Sequence, residues 1–99
     1  MKHRITVKSK IKKYIPQFID NAQKDINLLK QAVQEKNISE MERISHSIKG
    51  YGKPFGFGDL GNLAAQINSE TKESNFGTAV SLIHELDIYF SNIEIVYDE

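Results

Sequence analysis

The 99-residue chain contains no cysteine and no tryptophan, only two prolines, and no long run of apolar residues. Without cysteine there can be no disulfide, no thiolate metal site and no cysteine nucleophile, so an ordinary hydrophobic core must stabilise the fold. No segment approaches the roughly 20 consecutive apolar residues of a membrane-spanning helix, and the N-terminus lacks the apolar stretch of a signal peptide. We therefore expect one compact domain that is cytoplasmic, monomeric and not associated with a membrane.

The chain also lacks net charge, because 13 Lys and Arg residues balance 13 Asp and Glu residues. The charges are unevenly distributed: residues 1–13 hold six basic side chains and no acid, whereas residues 59–99 hold eight acids and one lysine. Such a basic arm could contact nucleic acid or an anionic lipid surface. Because no arginine-rich or aromatic pattern accompanies the lysines, we interpret residues 1–14 as a solvated extension, with one possible short helix capped by Ser9. We expect no nucleic-acid partner.

Apolar residues recur at steps of three and four along four segments, which is the spacing of amphipathic helices. These stripes predict helices over about residues 15–36, 39–55, 58–73 and 78–95. Four such helices joined by short loops bury their stripes against one another, so residues 15–99 are predicted to form an all-α, antiparallel four-helix up-down bundle. Ile5-Thr6-Val7 is the only segment expected to be extended, and no strand of convincing length is predicted.

Three features of the sequence mark where helices begin and end. Pro16 suits the first turn of the first helix, where its missing N–H costs nothing. Ser39 and Glu42 have the spacing of a capping box, which predicts that Ser39 caps the second helix. Five of the six glycines fall between residues 50 and 61, so this helix should end near Gly56 and be followed by a tight reversal.

One histidine of the second helix is predicted to face outward. At 100° per residue, His46 lies on the side opposite the apolar positions Ile44 and Ile48. A neutral imidazole is a competent nucleophile at physiological pH and needs no separate base. Lys49, one helical turn further on, could neutralise an anionic group bonded to the imidazole, and Arg43 could supply a second cation.

Gly50 is the second unusual residue on this face. A glycine inside an exposed helix costs roughly 1 kcal/mol relative to alanine, so its presence four residues after His46 indicates that another molecule approaches the backbone closely. The competing interpretation is a solvated helix face that contains one histidine by chance. The combination of His46, Lys49 and Gly50, followed by a glycine-rich stretch, favours a functional site.

This segment resembles the histidine-containing phosphotransfer (HPt) domains of two-component phosphorelays. Their motif has a phospho-accepting His, a Lys three residues later, a Gly four later, an aromatic or aliphatic residue and a Gly at nine and ten, and a Leu at fourteen. These positions are occupied here by His46, Lys49, Gly50, Phe55-Gly56 and Leu60. The resemblance covers about residues 5–95.

The resemblance implies a function for the chain. It implies a phosphocarrier that passes a phosphoryl group between aspartates of receiver domains through phosphohistidine at His46, without kinase activity of its own. Response-regulator receiver domains or a hybrid sensor histidine kinase would be the partners. Mg²⁺ is expected on the receiver domain, so the chain should need no cofactor and no metal.

The resemblance also implies further site residues. Many family members carry Glu or Gln about 22 residues after the His to hydrogen-bond the imidazole, and Asn68 is expected to keep this role. The rim of the partner-docking surface is expected to include Arg43, Lys53, Phe55 and Phe57.

Parts of the sequence are also compatible with two alternative functions and one alternative site. A helical adaptor could dock a signalling partner through the same face without phosphorylation. An enzyme that uses His46 as an acid or base is disfavoured, because a convex helix face offers no pocket that excludes water. His84 and Asp87 are spaced to share a metal ion, but two ligands do not define a metal site.

Overall fold

The computed structural model describes residues 2–98. Met1, the first residue of the predicted extension (1–14), and Glu99, the last residue of the predicted bundle (15–99), lie outside the described residues. The described elements are, in chain order, strand β1 (His3–Lys8), an N-terminal 3-10 helix (Ser9–Tyr14), helix α1 (Ile15–Gln34), helix α2 (Ile38–Gly52), a 3-10 turn (Lys53–Phe55), helix α3 (Gly58–Lys72), helix α4 (Phe76–Ser91) and strand β2 (Ile93–Asp98). The four α-helices confirm the predicted helical bundle. The pairing of two strands was not predicted.

Each helix buries one apolar stripe, and these stripes meet in a common core. On α1 the buried positions recur at steps of three and four from Ile15 to Ala32, as the sequence predicts. Pro16 lies in the first turn of α1, which confirms its predicted place. The other helices contribute core residues that include Met41, Ile44, Ile48, Leu60, Ala64, Ile67, Ile83, Leu86 and Phe90.

The start of α2 differs from the prediction. The helix begins at Ile38, and the Asn37 side chain accepts a hydrogen bond of 3.2 Å from the Glu40 amide. Asparagine satisfies a free amide of the first turn as well as serine does, so the predicted capping box of Ser39 and Glu42 is wrong. The cap lies two residues earlier in the chain.

The C-terminal end of the bundle also differs from the prediction. Helix α4 ends at Ser91 instead of continuing to residue 95, and Ile93–Asp98 forms a strand that pairs in parallel with β1. The expected extended conformation of Ile5-Thr6-Val7 is confirmed, because these residues lie within β1. The register runs from His3 opposite Ile93 to Lys8 opposite Asp98, and it buries Ile5 and Val7 against the bundle.

The basic N-terminal segment is therefore part of the packed structure. On the outward face of the sheet, Arg4 lies opposite Glu94 and Lys8 lies opposite Asp98, so each basic residue of β1 has an acidic residue of β2 beside it. The prediction that Ser9 caps the short N-terminal helix is wrong. The Ser9 hydroxyl instead donates a hydrogen bond of 2.6 Å to the carbonyl of Asp98.

Helices α2 and α3 touch through their backbones at Gly52 and Gly61. A Cβ atom built on Gly52 would lie only 2.8 Å from the Gly61 nitrogen, which is closer than real Cβ contacts. This contact fixes α3 behind the end of α2, opposite the outward face of the helix. Within residues 2–98, no helix is both long enough and apolar enough to cross a membrane.

Candidate functional site

The His46 side chain is exposed to solvent on α2. Its neighbours Ile44, Ser45 and Ile48 are buried, so the helix presents one face to the core and the opposite face to solvent. This arrangement confirms the orientation that the apolar stripe predicts. The imidazole is therefore accessible to a second protein.

Lys49 and Gly50 are also exposed, one helical turn after His46. A Cβ atom built on Gly50 would meet no atom within 4 Å, apart from the local backbone of its own helix. No packing among residues 2–98 therefore requires a glycine at this position. Lys49 lies on the same helix face as His46, where its ammonium could balance negative charge added to the imidazole.

Arg43 is held by an acidic neighbour in the structure. Its guanidinium donates two hydrogen bonds to one carboxylate oxygen of Glu40, and the Nε–Oε2 distance is 3.0 Å. The hydrogen bond from Arg43 lowers the pKa of the Glu40 carboxyl. Because both side chains are exposed, the pair is weak and Arg43 can exchange Glu40 for another anion at little cost.

Asn68, which is expected to hydrogen-bond the imidazole, makes its hydrogen bonds to the second helix elsewhere. Its amide nitrogen donates to the carbonyl of Glu42 at 2.9 Å and to the hydroxyl of Ser45 at 3.2 Å. The Ser45 hydroxyl in turn donates to the carbonyl of Met41 at 2.7 Å. Asn68 is buried between α3 and α2, so its amide ties α3 to the backbone of α2 just before His46. Ser45 was missed by the sequence analysis, although its position beside the apolar stripe could have identified it.

The expected docking rim is only partly exposed. Phe57 is fully buried, so its assignment to a docking surface is wrong. The rings of Phe55 and Phe57 pack on Phe18, with centroid separations of 4.8 and 4.5 Å, and Phe55 stays half-buried. Lys53 is exposed at the end of α2. Lys53 and Phe55 therefore remain candidates for partner contact.

A family model for the Hpt domain matches residues 13–94, a range that includes His46 and all four α-helices. The chain belongs to the Hpt domain family. Comparisons with curated proteins and with solved structures give no match. Membership indicates phosphotransfer in two-component systems, where Hpt domains act as phosphocarriers rather than kinases and interact with receiver and kinase domains.

The Hpt domain also has a polar contact between α1 and α2 that the sequence analysis missed. The Tyr51 hydroxyl donates a hydrogen bond of 2.8 Å to a carboxylate oxygen of Asp25. Burial, followed by the bond to Asp25, raises the pKa of Tyr51. The contact lies in a groove of about 410 Å³ between the two helices, where Tyr14 and Leu28 are exposed.

The described part of the Hpt domain brings no third ligand to the spaced pair of His84 and Asp87. Asp87 instead forms an ion pair with Lys30 of α1, with a distance of 3.2 Å between the charged atoms. Within residues 2–98 no group of three or more His, Asp or Glu side chains is arranged to hold a metal ion.

The small sheet lies mostly outside the part of the chain that matches the family. The match begins at residue 13 and ends at residue 94, so it excludes all of β1 and four of the six residues of β2. Most of the sheet is therefore formed by residues that the family model does not match.

Proposed function

We propose that this Hpt domain relays a phosphoryl group between the aspartates of receiver domains, with His46 as the phospho-acceptor. The main support for the proposal is that the imidazole of His46 is exposed on the outward face of α2, next to Gly50, where no side chain covers the helix backbone. The position of Lys49 on the same face supports it. The proposal includes a cytoplasmic location and a monomeric carrier.

The proposed reaction exchanges one bond to phosphorus for another. A neutral imidazole nitrogen of His46 attacks the phosphorus of an aspartyl phosphate while the bond from phosphorus to the carboxylate oxygen breaks. The aspartate leaves as a carboxylate, and the imidazole proton is lost to solvent once the phosphohistidine has formed. Attack by the aspartate of a second receiver reverses these changes and regenerates His46.

The residues around His46 would stabilise charge during this transfer. The ammonium of Lys49 balances negative charge on the phosphoryl oxygens, which is the main electrostatic demand of phosphoryl transfer. Arg43 can turn from Glu40 toward the phosphorylated imidazole and supply a second cation. We expect the metal ion that assists the transfer to be held by carboxylates of the receiver domain.

The partner must complete the reaction site. His46 lies on a convex helix surface, so this chain alone cannot exclude water from the reacting atoms. A receiver domain docked over Gly50 would cover the imidazole and align its aspartate with it. We therefore propose a phosphotransfer intermediate without catalytic activity of its own.

Substitution of His46 tests the proposal. After incubation with a phosphorylated receiver domain, the wild-type protein is expected to carry acid-labile, base-stable phosphate, whereas His46→Gln should carry none. His84→Gln is a matched control, because His84 is another exposed helical histidine. Circular dichroism should show the same helix content in all three proteins, since an exposed side chain contributes little packing.

Two results would contradict the proposal. Phosphate retained by His46→Gln would exclude His46 as the acceptor. A wild-type protein that binds the receiver domain but takes up no phosphate would instead favour the adaptor function.

A further inference from the structure

The two edges of the small sheet are not equivalent. The carbonyl of Thr6 faces Gly56, where an added Cβ would lie 3.6 Å from the carbonyl oxygen, so the turn after α2 covers this edge of β1. Ile5 and Val7 of β1 are buried, whereas the inward side chains of β2 are only half-buried. Strand β1 is therefore the inner strand and β2 is the outer strand.

The hydrogen-bond pattern shows which backbone groups of β2 are unpaired. The His3 amide donates to the carbonyl of Asn92 at 2.7 Å, and His3 lies opposite Ile93 in the register. In a parallel ladder, alternate residues of a strand direct both backbone groups to the same neighbour. The residues of β2 whose N–H and C=O groups point away from β1 are therefore Ile93, Ile95 and Tyr97. No backbone hydrogen bond within residues 2–98 reaches these groups.

Strand β2 has only part of the usual protection of a free edge. Exposed edges commonly carry charged residues, above all lysine, or proline, or are interrupted by a bulge, which prevents further strand pairing. The sequence of β2, from Ile93 to Asp98, contains neither lysine nor proline and no glycine. Its outward side chains are the acids Glu94 and Asp98 on either side of Val96, which is 38% exposed. The edge is thus acidic, with an apolar residue at its centre.

Strand β1 shows what kind of strand fits against β2. From Arg4 to Lys8 its side chains alternate between apolar residues that face the bundle and polar or basic residues that face outward. Arg4 lies opposite Glu94 and Lys8 lies opposite Asp98, which places opposite charges in adjacent positions. A strand added to the outer edge of β2 would lie beside the same acidic side chains, Glu94 and Asp98, from the other side. It would therefore need the same alternation of apolar and basic residues that β1 has.

We propose that the outer edge of β2 binds an extended segment of a partner protein in which apolar and basic residues alternate. The segment adds a third strand to the sheet, with main-chain hydrogen bonds to Ile95 and Tyr97. Its basic side chains lie beside Glu94 and Asp98. The proposal is independent of phosphotransfer at His46, because the sheet lies outside the helix that carries that residue.

A peptide with the sequence of residues 2–9 of this chain, labelled with a fluorophore, is the probe for this site. Fluorescence anisotropy should show that it binds the wild-type protein, and binding should weaken when the salt concentration rises from about 50 to about 500 mM. Hydrogen exchange should slow at the Ile95 and Tyr97 amides when the peptide is bound. An analogue with Glu in place of its Lys and Arg residues should not bind.

Substitution of Ile95 distinguishes binding of the peptide at the outer edge of β2 from binding elsewhere on the protein. Ile95→Pro removes an N–H that β1 does not use, so the inner pairing should persist while the peptide binds about tenfold more weakly. Ile95→Ala is the matched control, because it removes the same side-chain packing but keeps the amide. Both variants should accept phosphate at His46 as the wild type does.

Three outcomes would overturn the proposal. The peptide could fail to bind the wild-type protein, or the acidic analogue could bind as well as the basic peptide. The peptide could also bind Ile95→Pro and Ile95→Ala equally well, which would indicate that it replaces β1 at the inner edge.

Discussion

Gly50 leaves the helix backbone uncovered beside His46, and a Cβ atom at this position would meet no other part of residues 2–98 within 4 Å, apart from the local backbone of its own helix. Gly50→Ala should therefore increase the free energy of unfolding by about 0.4–1 kcal/mol through better helix propensity and a stiffer unfolded chain. The same change should slow phosphate uptake if a receiver domain approaches here, and Gly50→Gln should slow it further. Thermal unfolding and the rate of uptake from a phosphorylated receiver measure the two effects. Transfer at the wild-type rate in both variants would show that Gly50 has no docking role.

Asn68 is expected to affect the stability of the bundle more than the chemistry at His46. Asn68→Ala removes hydrogen bonds to Glu42 and Ser45, so the free energy of unfolding should fall by roughly 1–3 kcal/mol. Phosphate acceptance should persist, because the amide donates its hydrogen bonds to Glu42 and Ser45 and not to the imidazole. Chemical denaturation and the phosphotransfer assay test both statements, with the exposed Asn62→Ala of the same helix as control. Loss of acceptance without loss of stability would instead assign Asn68 a direct role at the phosphohistidine.

The sequence predicts well which way a residue faces within a regular helix, and it predicts this poorly outside a helix. The outward orientation of His46, Lys49 and Gly50 follows from the fixed rotation per residue, and the structure confirms it. Phe57 lies between two helices, where no period defines an inward face, so its burial could not be predicted. The partner of Asn68 depends on the distance between α2 and α3, which the local sequence does not contain.

At the scale of elements, the close approach of α2 and α3 makes Gly52 more sensitive than its neighbours. Gly52→Ala would place a Cβ against the backbone of Gly61, so the helices must separate and the free energy of unfolding should fall by roughly 1–3 kcal/mol. Gly61→Ala should be tolerated, because its Cβ would meet other atoms only at 3.5 Å or more. Denaturation in urea compares the two variants, with Gly50→Ala as the exposed control on α2. Equal stability of Gly52→Ala and the wild type would contradict the contact.

The errors in the predicted elements have a common physical cause. Ile93 continues the helical spacing of α4 three residues after Phe90, and it also starts the alternation of β2. The choice between the two depends on β1, which lies about 90 residues earlier in the chain. At the start of α2, Asn37 and Ser39 are both good capping residues, and only the path of the chain after α1 decides between them.

At the scale of the whole molecule, two tyrosines, one buried and one half-buried, should limit stability in alkali. Burial, with the charge of Asp59 as a smaller cause, raises the pKa of Tyr89 to about 12, and the pKa of Tyr51 is also raised. The folded protein thus holds these protons more tightly than the unfolded chain, whose tyrosines titrate near pH 10. Stability from this source is complete below about pH 10 and is lost as the pH rises toward 12.

Urea denaturation at pH 8, 10 and 11, followed by circular dichroism, tests this expectation. The midpoint of the wild-type protein should fall between about pH 10 and 11, and the fall should be smaller in Tyr89→Phe, which has no proton to lose. Between pH 8 and the start of tyrosine titration, the two midpoints should keep a constant difference. An identical decline in both proteins would exclude Tyr89 as a cause.

The uneven charge along the sequence is explained by the folded molecule. The basic N-terminal segment and the acidic C-terminal segment become adjacent strands, so charges that are distant in the chain lie beside each other across the sheet. Zero net charge and uneven distribution are both visible in the sequence. The pairing of the basic segment with the acidic segment is not visible there, because local periodicity gives no information about which distant strands meet.

The parallel direction of β1 and β2 determines how the molecule would respond to a pulling force. The N-terminal end of the described chain leaves β1 at His3, and the C-terminal end leaves β2 at Asp98, which lies opposite Lys8 at the other end of the sheet. Tension between these ends makes the strands slide past each other, so all the ladder hydrogen bonds carry the load together. An antiparallel pair joined to the same ends would open one bond at a time. The sheet therefore acts as a shear clamp that must break before tension can reach the helices and His46.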